Sequence, residues 1–244
     1  MLKSEKRSGA FTVIELLVVI AMVGLLGLLF LPVFAGARAD ARNAQCSDNL
    51  RQIGKAVPLY AADHSGRFPG CQHEPPSWVE GLEAYCAMEN FVCAEDAQEV
   101  GELEKPATKK ARGTGNGWRN KWSYALNDFL TPHPYGARNL DFSKIATVPS
   151  PSETMLFGEA AAEYQRYDHF HFADEIENGF TPAAFSEQVE VERHGGAANY
   201  LFVDGRVEGL GWTSGARPKL DFPKSRFVHP AGESRTSAQQ MARR

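Results

Sequence analysis

The run "FTVIELLVVIAMVGLLGLLFLPVF", residues 11–34, constrains this chain more than any other feature. Its only polar side chains are Thr12 and Glu15. As a helix it would extend about 36 Å, enough to cross a bilayer, so a transmembrane helix is expected here. A carboxylate in such a segment is costly unless something pairs with it. Ahead of the run, "MLKSEKRSGA" carries Lys3, Lys6 and Arg7, while Arg38, Arg42 and Arg51 follow it. Cations flanking a span set its orientation, and here the two sides balance. A removable signal peptide is the alternative, with Ala35 and Ala37 in an A-x-A arrangement, but its apolar region is normally about 7–15 residues.

The rest of the 244 residues is ordinary in hydrophobicity, and the net charge of −4 makes nucleic acid no obligatory partner. "AGARADARNAQCSDNLRQIGKAV" continues the helical pattern, with Leu50, Ile53 and Val57 forming one apolar stripe able to lie on a sheet. Pro32 is expected to kink this helix and Pro58 to end or bend it. A short helix follows at "SWVEGLEAYCAM", N-capped by Ser77. Residues 95–121 read as a long mobile loop.

Four short β-type runs come next: "WSYAL" (122–126), "TMLFGEA" (154–160), "NYLFV" (199–203) and "RVEGL" (206–210). Asp204-Gly205 between the last two predicts a type I′ hairpin. The tail from Phe227 is polar and expected to be disordered. The architecture implied is α+β: a long amino-terminal helix packed on a small antiparallel sheet. Its parts are a leader (1–10), a spanning helix (11–34), a globular domain (35–226) and a tail (227–244).

"AFTVIELLVVIAMVGLLGLLFLP" resembles the amino terminus of type IV prepilins and type II secretion pseudopilins: a basic leader, a small residue, Phe11, and Glu15 five positions on. "CSDNLRQIGKAVPLYAADHSGRFP", "SYALN", "PSETMLFGEA" and "RHGGAANYLFVDGRVE" resemble later segments of a large bacterial subfamily of such proteins. The last carries a His-X9-Asp-Gly motif at His194, Asp204 and Gly205. The resemblance implies a pilin-like fold and a non-enzymatic filament subunit in the bacterial inner membrane, its amino terminus cytoplasmic and its carboxy-terminal domain extracytoplasmic. Prepilin peptidase would cut after Ala10 and N-methylate Phe11. A cut after Gly9 would put Glu15 sixth, and register favours the first. Other pilin-like subunits would be partners through the helix, where the amine of one Phe11 can pair with Glu15 of a neighbour.

Other polar clusters offer weaker sites. His194 and Asp204 fall at opposite ends of a strand, too far apart for one site. Asp168, His169 and His171, near Asp174 and Glu175, are weak metal candidates on what reads as an exposed polar loop. The resemblance allows calcium, since some pseudopilins carry it, but no Asp-x-Asp-x-Asp-Gly loop is present and no cofactor is expected. Cys46, Cys71, Cys86 and Cys93 permit three complete disulfide pairings. No nucleophile elbow, P-loop or zinc-protease motif occurs. The rivals are a pilin-anchored module binding polysaccharide or DNA through Trp78, Trp118, Trp122 and Tyr124, and a secreted metal-dependent hydrolase.

Overall fold

The structure is a computed structural model and describes residues 12–71, 76–96, 122–131, 141–162, 164, 168–172, 181–212 and 227–230. The chain divides into two compact units, Met1–Ala41 and Arg42–Arg244. Helix α1, Val13–Asp63, is 51 residues long. In the first unit its described apolar side chains point outward on every face: Ile14, Leu17, Met22, Leu25 and Phe30 are all exposed. Among the described residues no helix is long and apolar enough to cross a membrane. The expected span, 11–34, includes Phe11 and the side chains of Leu29, Pro32 and Val33, which lie outside that set.

The helix starts with a reciprocal cap. The Thr12 N–H and hydroxyl donate to Glu15 Oε2 at 2.8 and 2.7 Å, and the Glu15 N–H donates to Thr12 Oγ1 at 3.3 Å. This Thr-x-x-Glu capping box satisfies amide groups that would otherwise lack partners. Helical backbone continues through Pro32 and Pro58. Pro58 therefore does not end it, and its side chain is exposed. The helix stops at Asp63, where Ser65 and Gly66 turn left-handed and the Gly66 N–H returns to the Ala61 carbonyl at 2.7 Å.

In the second unit the stripe Leu50, Ile53 and Val57 is buried, as its spacing predicts. Gly54 lets α1 lie close to the sheet, because a Cβ there would meet Leu201 Cδ1 at 2.8 Å. Helix α2, Trp78–Leu82, is capped by Ser77 as expected, its hydroxyl accepting from Glu80 N–H. Helix α3, Pro182–Gln188, begins with Thr181 as cap and Pro in its first turn.

Four strands, β1 (Tyr124–Leu126), β2 (Met155–Glu159), β3 (Ala197–Phe202) and β4 (Val207–Gly211), form one antiparallel sheet in chain order. Period-two alternation, interrupted on β2 by a register irregularity between Met155 and Phe157, gives the sheet two apolar faces. Tyr124, Leu126, Phe157 and Leu201 join the α1 stripe, Trp78 and Phe91. Ala125, Met155, Tyr200 and Phe202 join Phe170, Phe172, Phe185 and Phe227 on the other side.

The β3–β4 hairpin lies where Asp204-Gly205 predicts, but it is not type I′, which needs positive φ at both central residues. Only Gly205 has positive φ, +87°. Its N–H bonds the Phe202 carbonyl, and the Phe202 N–H bonds the Arg206 carbonyl. The loop is thus three residues, Val203 to Gly205, with glycine in the left-handed position. The tail expectation also needs correcting. Phe227 and Val228 are buried, and the Phe227 carbonyl accepts from Met155 N–H at 2.8 Å. Two apolar side chains and a free β2 amide suffice to pin this short stretch. The loop expected over 95–121 falls, beyond Asp96, outside the described residues, as does the tail from 231.

Candidate functional site

The most concentrated polar chemistry of the second unit surrounds Glu159, the last residue of β2, which is fully buried. A wholly buried carboxylate requires partners. His194 supplies one, Nε2 lying 2.8 Å from Glu159 Oε1. Asn199 of β3 supplies the others: its N–H donates to Oε2 at 3.1 Å, and its Nδ2 reaches Oε1 at 3.4 Å. Asn199 Nδ2 also donates to Asn43 Oδ1 of α1 at 2.8 Å. The turn that follows His194 is made by Gly195 and Gly196, both at positive φ, and the His194 N–H closes it on the Ala197 carbonyl at 2.8 Å.

Beside this pair lies a disulfide between Cys46 of α1 and Cys93. Cys93 Sγ is 3.7 Å from His194 Nε2, and the Ala94 N–H donates to Cys46 Sγ at 3.0 Å. Cys71 and Cys86 take no part in it. Around the rim, Arg193 joins Asp96 through Nη1 and the Ala160 carbonyl through Nη2 at 2.7 Å. The Tyr124 hydroxyl donates to the Cys46 carbonyl at 3.1 Å. Burial pushes the Tyr124 phenol well above the ordinary tyrosine range, and the charge of Glu159 adds to the effect.

His194 and Asp204 do fall at the two ends of β3, and the structure gives the His-X9-Asp-Gly spacing a physical meaning. His194 ties the start of β3 to β2 through Glu159, and Gly205 turns its far end into β4. The sequence reading missed Glu159, 35 residues from its partner. The sole hint was a glutamate inside an otherwise apolar strand, "MLFGEA".

The other expected sites fare differently. Gly9, Ala10 and Phe11 lie outside the described residues. Asp168 and His169 are not on an exposed loop: both are buried, with His169 Nδ1 2.8 Å from Asp168 Oδ1. The reason is an extended segment against β1, where the Leu126 N–H bonds the Asp168 carbonyl and the Phe170 N–H bonds the Leu126 carbonyl. Phe170 and Phe172 thereby enter the core, and the His171 N–H donates to Gln188 Oε1. Among the described residues the donors that converge as a metal centre would require are instead those of Cys46, Cys93, Glu159 and His194. The aromatic contacts offered for a polysaccharide or DNA module are also corrected. Trp78, Trp122 and Tyr124 are buried core side chains, because Trp78 packs edge-on against Phe91 and Phe157; Trp118 lies outside the described residues.

A long amino-terminal helix, a four-stranded antiparallel sheet and a buried Glu-His latch define an α+β protein. Over residues 35–154, just under half its length, the chain is similar to the family described as a protein of unknown function (DUF1559), whose model matches there. No curated protein and no solved structure matches the chain.

Proposed function

We propose that this protein is a pilin-like structural subunit of a type II secretion or type IV pilus-like filament, cut and N-methylated by prepilin peptidase. The observation that carries the reading is the amino-terminal helix, whose apolar side chains are exposed on every described face and whose first turn holds Glu15. A helix apolar all round calls for an apolar environment, either lipid or a bundle of identical helices. The match over residues 35–154 also supports it, that family being prepilin-associated in bacteria. The protein would reside in the inner membrane with its carboxy-terminal domain extracytoplasmic.

Glu15 then has two successive roles. Before assembly the Thr12 amide and hydroxyl satisfy its carboxylate. In the filament the methylated amine of a neighbour's Phe11 would pair with it, and that pairing would fix the axial register of adjacent helices. The test is the intact mass and amino-terminal sequence of protein extracted from cells that contain their own prepilin peptidase. A chain beginning at Phe11 with one added methyl group is expected. A chain beginning at Arg38, after signal peptidase cleavage, would end the filament reading.

A further inference from the structure

We propose that Cys46, Cys93, Glu159 and His194 form a second, metal-holding state of the globular unit: when the disulfide is reduced, the four close on one zinc ion. Their donor atoms already lie within 4.8 Å of one another. A tetrahedral zinc centre with thiolates at about 2.3 Å and nitrogen or oxygen at about 2.0–2.2 Å places neighbouring donors roughly 3.3–3.8 Å apart. The contact between Cys93 Sγ and His194 Nε2, 3.7 Å, falls in that range. The 2.8 Å contact between His194 and Glu159 needs to widen by about an ångström, and the two sulfurs need to part. Two thiolates, an imidazole and a carboxylate are a donor set that zinc accepts.

The surroundings fit a structural metal rather than a catalytic one. Cys46, Cys93 and Glu159 are fully buried and His194 nearly so, which leaves no side open for a water or substrate. Two of the three anionic ligands, Glu159 and Cys46, have an outer partner that orients them. Asn199 holds Glu159 Oε2 through its backbone N–H, and the Ala94 N–H points at Cys46 Sγ.

A dithiol reductant transfers two electrons and two protons, the Cys46–Cys93 S–S bond breaks, and the reductant leaves as its own cyclic disulfide. Zinc then displaces both thiol protons, and the imidazole binds through a bare Nε2. No C-x-x-C spacing announces such a site, because its ligands come from α1, the segment after Phe91, the end of β2 and the turn before β3.

The test uses full-length protein in detergent, reduced anaerobically with a dithiol and titrated with Co²⁺ as a spectroscopic stand-in for zinc. One cobalt per chain is expected, with thiolate-to-metal charge-transfer bands and tetrahedral d–d bands that zinc abolishes. The oxidised protein should show neither. Cys46→Ser should lose the two-thiolate spectrum, and His194→Gln, which keeps a donor for Glu159, should bind at least tenfold more weakly. The Cys71→Ser/Cys86→Ser double variant should bind normally. If the reduced wild type shows no thiolate–cobalt band, or if His194→Gln and wild type bind equally, the proposal is overturned.

Discussion

The two stretches of α1 make opposite use of one secondary structure. Before Ala41 the described apolar side chains are exposed on all sides, and the polar groups that matter, Thr12 and Glu15, satisfy each other within one turn. After Arg42 a single stripe is buried and the polar groups find partners far away in sequence, such as Asn43 with Asn199. The first stretch is stabilised locally and awaits its environment. The second is stabilised by tertiary contacts, and perturbing these should leave the first helical.

Alkali gives the largest expected separation of the two. Tyr124 and Tyr200 are buried on opposite faces of the sheet, and desolvation raises both phenols above their ordinary value. The unfolded chain therefore loses these protons first, so their contribution is complete below about pH 10 and falls above it. For each tyrosine the loss is about 1.4 kcal/mol per pH unit until its folded form also ionises. Near-ultraviolet circular dichroism should report loss of the sheet unit while far-ultraviolet signal from the amino-terminal helix persists.

His194→Ala comes next. It removes the principal partner of a fully buried carboxylate, and such breaks cost about 3–5 kcal/mol. A urea midpoint unchanged from wild type would refute the latch. Replacing Cys46 and Cys93 together by alanine should cost about 2–4 kcal/mol, since the bridge closes a loop of 47 residues' separation. Asn127→Ala should follow at about 1–3 kcal/mol. Its Nδ2 donates to both the Met155 and Val228 carbonyls, and the variant should release residues 227–230 to rapid amide exchange. The smallest effect belongs to Thr12→Ala, about 0.5–2 kcal/mol, confined to exchange in the first turn of α1 with the globular unit's melting unchanged.

The elements themselves were legible because their signals are local. Short β-type runs bounded by turn residues located all four strands, three- and four-residue spacing located the α1 stripe, and Ser77 marked the start of α2. The capping box of Thr12 and Glu15 is equally local, a Thr-x-x-Glu pattern at the helix start. What stayed hidden depends on which strand edge meets which distant segment. Glu159 and His194 meet only because β2 and β3 pair in one register, and Cys46 meets Cys93 only because α1 packs on the sheet. Tyr124 and Trp78 look like ligand contacts until the two-faced core claims them. The packing of Phe227 was invisible because nothing in its polar neighbourhood signals an unfilled place beside Met155.

The latch, the disulfide and the Asn127 staple each join residues far apart in sequence, Glu159 with His194, Cys46 with Cys93 and Asn127 with Val228, and the last of these waits for the end of the described chain. A ribosome delivers these partners in order, so the core has gaps until the final segment arrives. Long-range closure of this kind slows folding and lengthens the time during which apolar surface stays uncovered. The globular unit therefore completes itself only after synthesis has passed Val228. Premature stops upstream of Phe227 should then yield unfinished domains that quality-control proteases remove.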